Sequence, residues 1–136
     1  MNAITLTIRA CLLAAVAVAA APAGAQNADG QSLFKKNCAA CHQASGKGIP
    51  GAFPPLVGSA IVLGAPTEAT TVLLKGRGGM PDFSASMSDH DIAAVLSYAR
   101  ASWGNKAGPL SGPDVLALRE QLQIPKFGDV QMSNKH

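Results

Sequence analysis

The sequence predicts a small all-α domain with a short extra helix toward its C-terminus. Three observations carry that expectation. Apolar residues recur at helical spacing in "SDHDIAAVLSYARASWG" (88–104), capping residues and glycines bracket the periodic stretches, and no convincing strand precedes Cys38. At 136 residues and 14% charged, the chain has room for one compact domain. A net charge of +3 leaves no large basic face of the kind that binds nucleic acid.

The first 25 residues differ from the rest. Met1 to Arg9 ends in a positive charge, "CLLAAVAVAAAPAGA" is almost wholly apolar, and Ala23-Gly24-Ala25 gives the small-x-small pattern of a signal-peptidase site. The apolar run falls short of the roughly 20 residues that a bilayer requires. Residues 1–25 are therefore expected to be a cleaved signal peptide, with export to the periplasm and no stable membrane span afterwards. Cys11 leaves with that segment, and Cys38 and Cys41 remain. One pair three apart is a weak staple, because the loop it closes is tiny. With aromatics at only 4%, a large apolar cofactor at the centre would help such a chain to fold.

Helices follow in order from local chemistry. "PTEATTVLLKG" reads as a short helix from a Thr67 cap to a Gly76 stop. In 88–104, Ser88 is the N-cap, Asp91 its weaker capping-box answer, and Gly104 the stop. Ile92, Val95, Leu96 and Ala99 share one face, Asp89 and Asp91 suit the positive end of the dipole, and His90 reads as solvated. After the linker "GNKAGPL", "SGPDVLALREQL" has Pro113 early with Val115, Leu116, Leu118 and Leu122 behind it, a further short helix. The final "KFGDVQMSNKH" reads as a loose tail.

The chemistry concentrates in "CAACH" (38–42), for which three readings compete. A thioredoxin-like motif needs a strand before Cys38, and none is legible. Zinc needs four ligands, and beyond Cys38, Cys41 and His42 the chain offers only His90, His136 and carboxylates without paired spacing. Covalent haem c fits the spacing. Residues i and i+3 of a helical turn project to one side, so both sulfurs meet one haem edge, and the next residue turns His42 toward iron. A single such motif implies one haem. For the sixth iron position, Met80 sits in "GRGGMPDF" (76–83), where glycines admit backbone close to a flat cofactor and Pro81 stiffens the exit. Met87, just before a helix start, reads as packing, and Met132 lies in the polar tail. A phosphate loop is excluded, because no Gly-Lys-Ser/Thr follows the glycines.

Together these stretches resemble the class I cytochromes c, small all-helical periplasmic electron carriers with His/Met-ligated haem. The resemblance covers about Asp29 to Trp103. "DGQSLFKKNCAACH" is similar to the family's first helix, with Gly30 and Phe34 where it crosses the last helix at Val95 and Tyr98. "FPPLVGS" is similar to the loop whose proline carbonyl accepts a hydrogen bond from the axial histidine, which implies that role for Pro54 and places Leu56 against the haem. "MPDF" matches the methionine loop. The continuation "SYARASWGNKAG…SGPDVLALRE" resembles cytochrome domains serving periplasmic quinoprotein alcohol dehydrogenases. The implied organisation is a cytochrome c domain over 26–104 and a C-terminal extension over 105–136.

The resemblance implies a non-enzymatic carrier of single electrons, from a periplasmic dehydrogenase to a downstream cytochrome or terminal oxidase. A tightly bound subunit of a dehydrogenase complex is the runner-up. A haem-based ligand-binding or sensing protein, requiring displacement of Met80, and a disulfide oxidoreductase are the readings from other classes. Lys35, Lys36, Lys47, Lys75 and Arg77 are candidates for steering an acidic partner, against the ordinary reading as solvated cations.

Overall fold

The computed structural model describes residues 23–129. Residues 1–22 of the expected signal segment, and Met132 and His136 of the tail, lie outside the described residues. The described chain is helical: α1 (Ala23–Asn37), α2 (Ala39–His42), α3 (Ala60–Leu63), α4 (Pro66–Lys75), α5 (Asp89–Ala101) and α6 (Gly112–Gln121). The only extended pairings among the described residues are isolated bridges, Ile49 with Phe53 and Arg77 with Met80.

Helices α1 and α5 pack most extensively, and glycine allows it. A Cβ on Gly30 would lie 2.3 Å from the Ala94 carbonyl oxygen and 2.8 Å from Tyr98 Cβ. Gly30 therefore meets Tyr98, as the resemblance implied, and also the α5 backbone at Ala94. One turn on, Phe34 (1% exposed) packs its ring 5.6 Å from Tyr98 and 5.1 Å from Trp103. Leu73, Leu74, Met87, Ile92, Val95, Leu96, Val115 and Leu118 complete one continuous core.

Caps set the ends of the helices. Ser88 Oγ accepts from Asp91 N at 3.1 Å, while the Asp91 carboxylate lies 3.9 Å from exposed His90 Nδ1. Helix α4 differs from the sequence expectation at its start. Its N-cap is Ala65, without a side-chain bond, and Pro66 opens the helix, so Thr67 is already inside it. Proline's fixed φ and missing N–H make it its own helix start. Thr70 and Thr71 hydroxyls turn back to the Pro66 and Thr67 carbonyls. Helix α5 ends at Ala101, before Gly104: Ser102 is already extended, and Trp103 then takes φ +56°. The full reciprocal capping box occurs on α6, between Ser111 and Asp114.

Helix α6 packs on α5 and α4, and so covers the helical body. The crossing before it is held by polar side chains. Ser97 Oγ donates to Leu110 O and accepts from Leu110 N. Buried Arg100 donates to the carbonyls of Val62, Gly64 and Gly108. After α6, Ile124 N bonds Arg119 O, and Asp129 N closes a turn on Lys126 O.

Gly30→Ala tests the α1–α5 approach, because two effects oppose. Alanine's better helix propensity favours the variant by about 1 kcal/mol, and overpacking costs about 1–3 kcal/mol. With backbone oxygen as the obstacle, the packing cost is expected to win, seen as a lower urea midpoint at unchanged slope.

Candidate cofactor site

Helix α1 delivers the cysteines. Cys38 N bonds Phe34 O at 2.8 Å, and Cys41 N and His42 N both bond Cys38 O, at 3.2 and 2.9 Å, so the helical path continues through a slight break at Cys38. The two sulfurs therefore stand one turn apart. Cys38 is half-buried against the core, Cys41 is exposed, and both are free thiols. Burial, with a smaller contribution from neighbouring Cys41, pushes the Cys38 thiol up to about 11. A disulfide oxidoreductase needs the opposite shift, toward the thiolate.

His42 is buried, 8% exposed, and its Nδ1 lies 3.0 Å from Pro54 O, twelve residues away. A carbonyl only accepts, so Nδ1 is the donor, and Nε2 is the ring nitrogen left for a ligand. The intervening loop is folded tightly enough to make this bond. Gly48 N bonds His42 O, Ile49 pairs with Phe53, and Gly46 O accepts from both Leu56 N and Val57 N. Gly48 has φ +66°, and a Cβ there would sit 2.3 Å from Phe53 O and 2.6 Å from Pro54 O. Only glycine lets the chain close so far. Pro54, lacking an N–H, presents its carbonyl with no donor to satisfy.

Met80 sits on the return from α4. Gly76, at φ +71°, ends the helix, and a Cβ there would meet Met80 O at 2.7 Å. Arg77 and Met80 exchange backbone bonds of 3.1 and 3.0 Å, and Phe83 N bonds Leu73 O at 2.7 Å. Met80 is half-buried against the core, whereas Met87 is 3% exposed and part of it. Met87 therefore packs, as its position before a helix suggests. Cys38, Leu56 and Met80 all lie against the same core. A cleft of about 370 Å³ lies on the proline loop, lined by Lys47 and residues 50–55; neither cysteine nor Met80 lines it.

Two contacts were not legible in the sequence. Asn105 is buried behind the proline loop: its Nδ2 donates to Leu56 O at 3.1 Å and Ala99 O at 2.8 Å, and its Oδ1 accepts from Gly58 N at 2.9 Å. Trp103 Nε1 donates to Ala44 O at 3.0 Å, and its ring covers Gly46, where a Cβ would lie 2.5 Å away. Each side chain reaches across more than 45 residues, so no local pattern announces it. His90 is exposed, and no group of three or more His, Cys, Asp or Glu among the described residues forms a metal cluster.

An imidazole whose Nδ1 is engaged by a carbonyl, a thioether in a glycine loop, and two thiols one turn apart are side chains whose chemistry suits a covalently held haem. Residues 25–98 match the family described as cytochrome c oxidase, cbb3-type, subunit III. The chain belongs to this family of cytochromes c. Its cofactor is accordingly covalently bound haem c. The cytochrome is 36% identical over 104 residues to the cytochrome c subunit of a quinone alcohol dehydrogenase from Gluconacetobacter polyoxogenes, covering 67% of this chain and 22% of that protein. The Gluconobacter oxydans counterpart is 34% identical over 109 residues, covering 71% and 23%. Cytochrome c-552 of Thermus thermophilus is 34% identical over 120 residues, covering 73% of this chain and 90% of that protein. The chain thus spans under a quarter of these alcohol dehydrogenase subunits and most of c-552.

Asn105→Ala leaves a carbonyl and an N–H of the proline loop without their partner. It is expected to cost about 2–3 kcal/mol, at the upper end for unsatisfied buried groups, measured as a denaturant midpoint shift.

Proposed function

We propose that this cytochrome is an exported single-haem electron carrier, with haem attached at Cys38 and Cys41 and iron ligated by His42 and Met80. The observation that carries the reading is the 3.0 Å bond from His42 Nδ1 to Pro54 O, directly after the CxxC turn. It fixes the ring, makes Nε2 the more basic ligand, and leaves it nothing else to do. Haem c supplies one-electron chemistry at its iron when bound. His42 and Met80 would both hold the iron, and a site so held would favour electron transfer over binding of outside ligands. The Met80 thioether favours ferrous iron and raises the potential. Leu56, packed against the same core, serves as an apolar wall. The chain catalyses no bond change of its own.

The donor in this reading is a periplasmic dehydrogenase, and the acceptor a downstream cytochrome or terminal oxidase. The names of the relatives support it, since quinone alcohol dehydrogenase subunits and a cbb3-type oxidase family are among them. Residues 1–25 have the composition of an export signal, and no helix of the described residues is long and apolar enough to cross a membrane. Lys35, Lys36, Lys47, Lys75 and Arg77 are all exposed, without ion pairs among the described residues, and are placed to steer an acidic partner. A tightly bound subunit of a dehydrogenase complex is the second reading, favoured by the likeness to those subunits. Anaerobic mixing of the oxidised cytochrome with separately purified dehydrogenases decides between them: fast haem reduction, weakened by added salt, supports the free carrier.

The cofactor assignments are checked by substitution. Cys38→Ala with Cys41→Ala is expected to abolish haem that survives denaturing electrophoresis. Met80→Ala should lower the reduction potential and open the iron to imidazole, while Met87→Leu leaves both unchanged; the reverse pattern would move the ligand role to Met87. Pro54→Ala, which keeps the carbonyl but frees the loop, should lower the denaturation midpoint and shift the potential modestly, with covalent haem retained.

A further inference from the structure

Arg119 is a charged side chain with 0% exposure, and it belongs to α6, beyond the residues that match the family. Its Nε donates to Asp89 Oδ1 at 2.7 Å, and its Nη1 donates to Ser84 O at 3.1 Å and Pro125 O at 3.0 Å. One guanidinium thereby joins α6, the segment returning from Met80, the first turn of α5, and the turn after α6. Its Nη2 is buried with no partner among the described residues.

That arrangement is a poor choice for stability alone. Apolar side chains of similar volume commonly replace a buried ion pair at no loss, and an unpartnered N–H adds a penalty. What a guanidinium provides and an apolar side chain does not is direction: a rigid fork that fixes several acceptors at once. Here the acceptors are Ser84 O and Asp89, at the two ends of the turn that carries the chain from the methionine loop into α5. The loop's other end is fixed by the Gly76 turn and the Arg77–Met80 bridge. Between them, Phe83 N to Leu73 O ties it to α4.

We propose that Arg119 is a positioning residue for Met80, through which the C-terminal helix holds the methionine loop closed over the iron; this rests on the assignment of Met80 as axial ligand. A neutral thioether is a weak donor, so its ligation depends on the fraction of time the loop is closed. An outside ligand binds only the open form, and its apparent affinity scales with that population.

The test uses ferric holoprotein with four variants: Arg119→Met, Arg119→Lys, Arg100→Met and Met80→Ala. Arg100 is also a buried arginine, but it bonds the carbonyls of Val62, Gly64 and Gly108 and none in 80–89, so Arg100→Met controls for general destabilisation. The readouts are the far-red thioether-to-iron absorption, imidazole affinity, and hydrogen exchange of the Met80 and Phe83 amides. Arg119→Met is expected to weaken the absorption, raise imidazole affinity about tenfold by increasing the open population, and speed both amides. Arg119→Lys, which keeps charge but not the fork, should fall between it and the parent. Arg100→Met should leave absorption and affinity at parent values. If Arg119→Met behaves as Arg100→Met does while Met80→Ala abolishes the absorption, the positioning role is overturned and the ligand stands. If Met80→Ala keeps the absorption, the ligand assignment itself fails, and this role with it. Should Arg119→Met yield no folded holoprotein, Arg119→Lys is judged by the same criteria.

Discussion

The close approach of α1 to α5 at Gly30 is the constraint on which the rest of the structure depends. With no side chain there, the two backbones meet at a distance that any Cβ would forbid. Phe34, one turn on, then reaches Tyr98 and Trp103, and the cysteine-bearing turn continues directly from the same helix. The position of Cys38, Cys41 and His42 against the core is thus set by a contact eight residues before the first of them. A rigid helix is what transmits it.

Much of the remaining chain is loop, and loops leave backbone groups without helical partners. This protein satisfies them with a few long polar side chains. Arg100 collects three carbonyls from the end of α3 and the later crossing, Asn105 holds three groups around the proline loop and the end of α5, and Arg119 joins the methionine return to α6. All three are buried. Each bonds mainly to backbone, so the connection is insensitive to which side chains the loops carry. The proline loop and the methionine loop are both held from behind by residues that follow α5, which makes the C-terminal stretch part of the site's support.

The features legible in the sequence were those with short-range causes. The CxxCH turn, the Ser88 cap, the Gly76 stop, the apolar face of α5 and the packing role of Met87 all follow from neighbours within a few residues. Where expectation and structure differ, the cause is also local but finer. Thr67 and Ala65 compete for one helix start, and Pro66 decides it by fixing its own φ. Helix α5 stops ahead of Gly104 at an extended Ser102, after which Trp103 brings its ring over Gly46 and its N–H to Ala44. That contact spans 59 residues, and no turn rule contains it.

The sequence by itself determined the helical class, the three helices after residue 65, the paired cysteines with their histidine, and the glycine-flanked methionine, because periodicity, capping and motif spacing are properties of adjacent residues. The tertiary structure alone decided that Gly30 meets Ala94, that Asn105 and Arg100 brace the loops, and that Arg119 is buried beneath the methionine return. A lone Asn or Arg in a polar stretch reads as solvated until the fold removes water from around it. Only then do its donors have to find carbonyls, and only the three-dimensional arrangement says which ones are near.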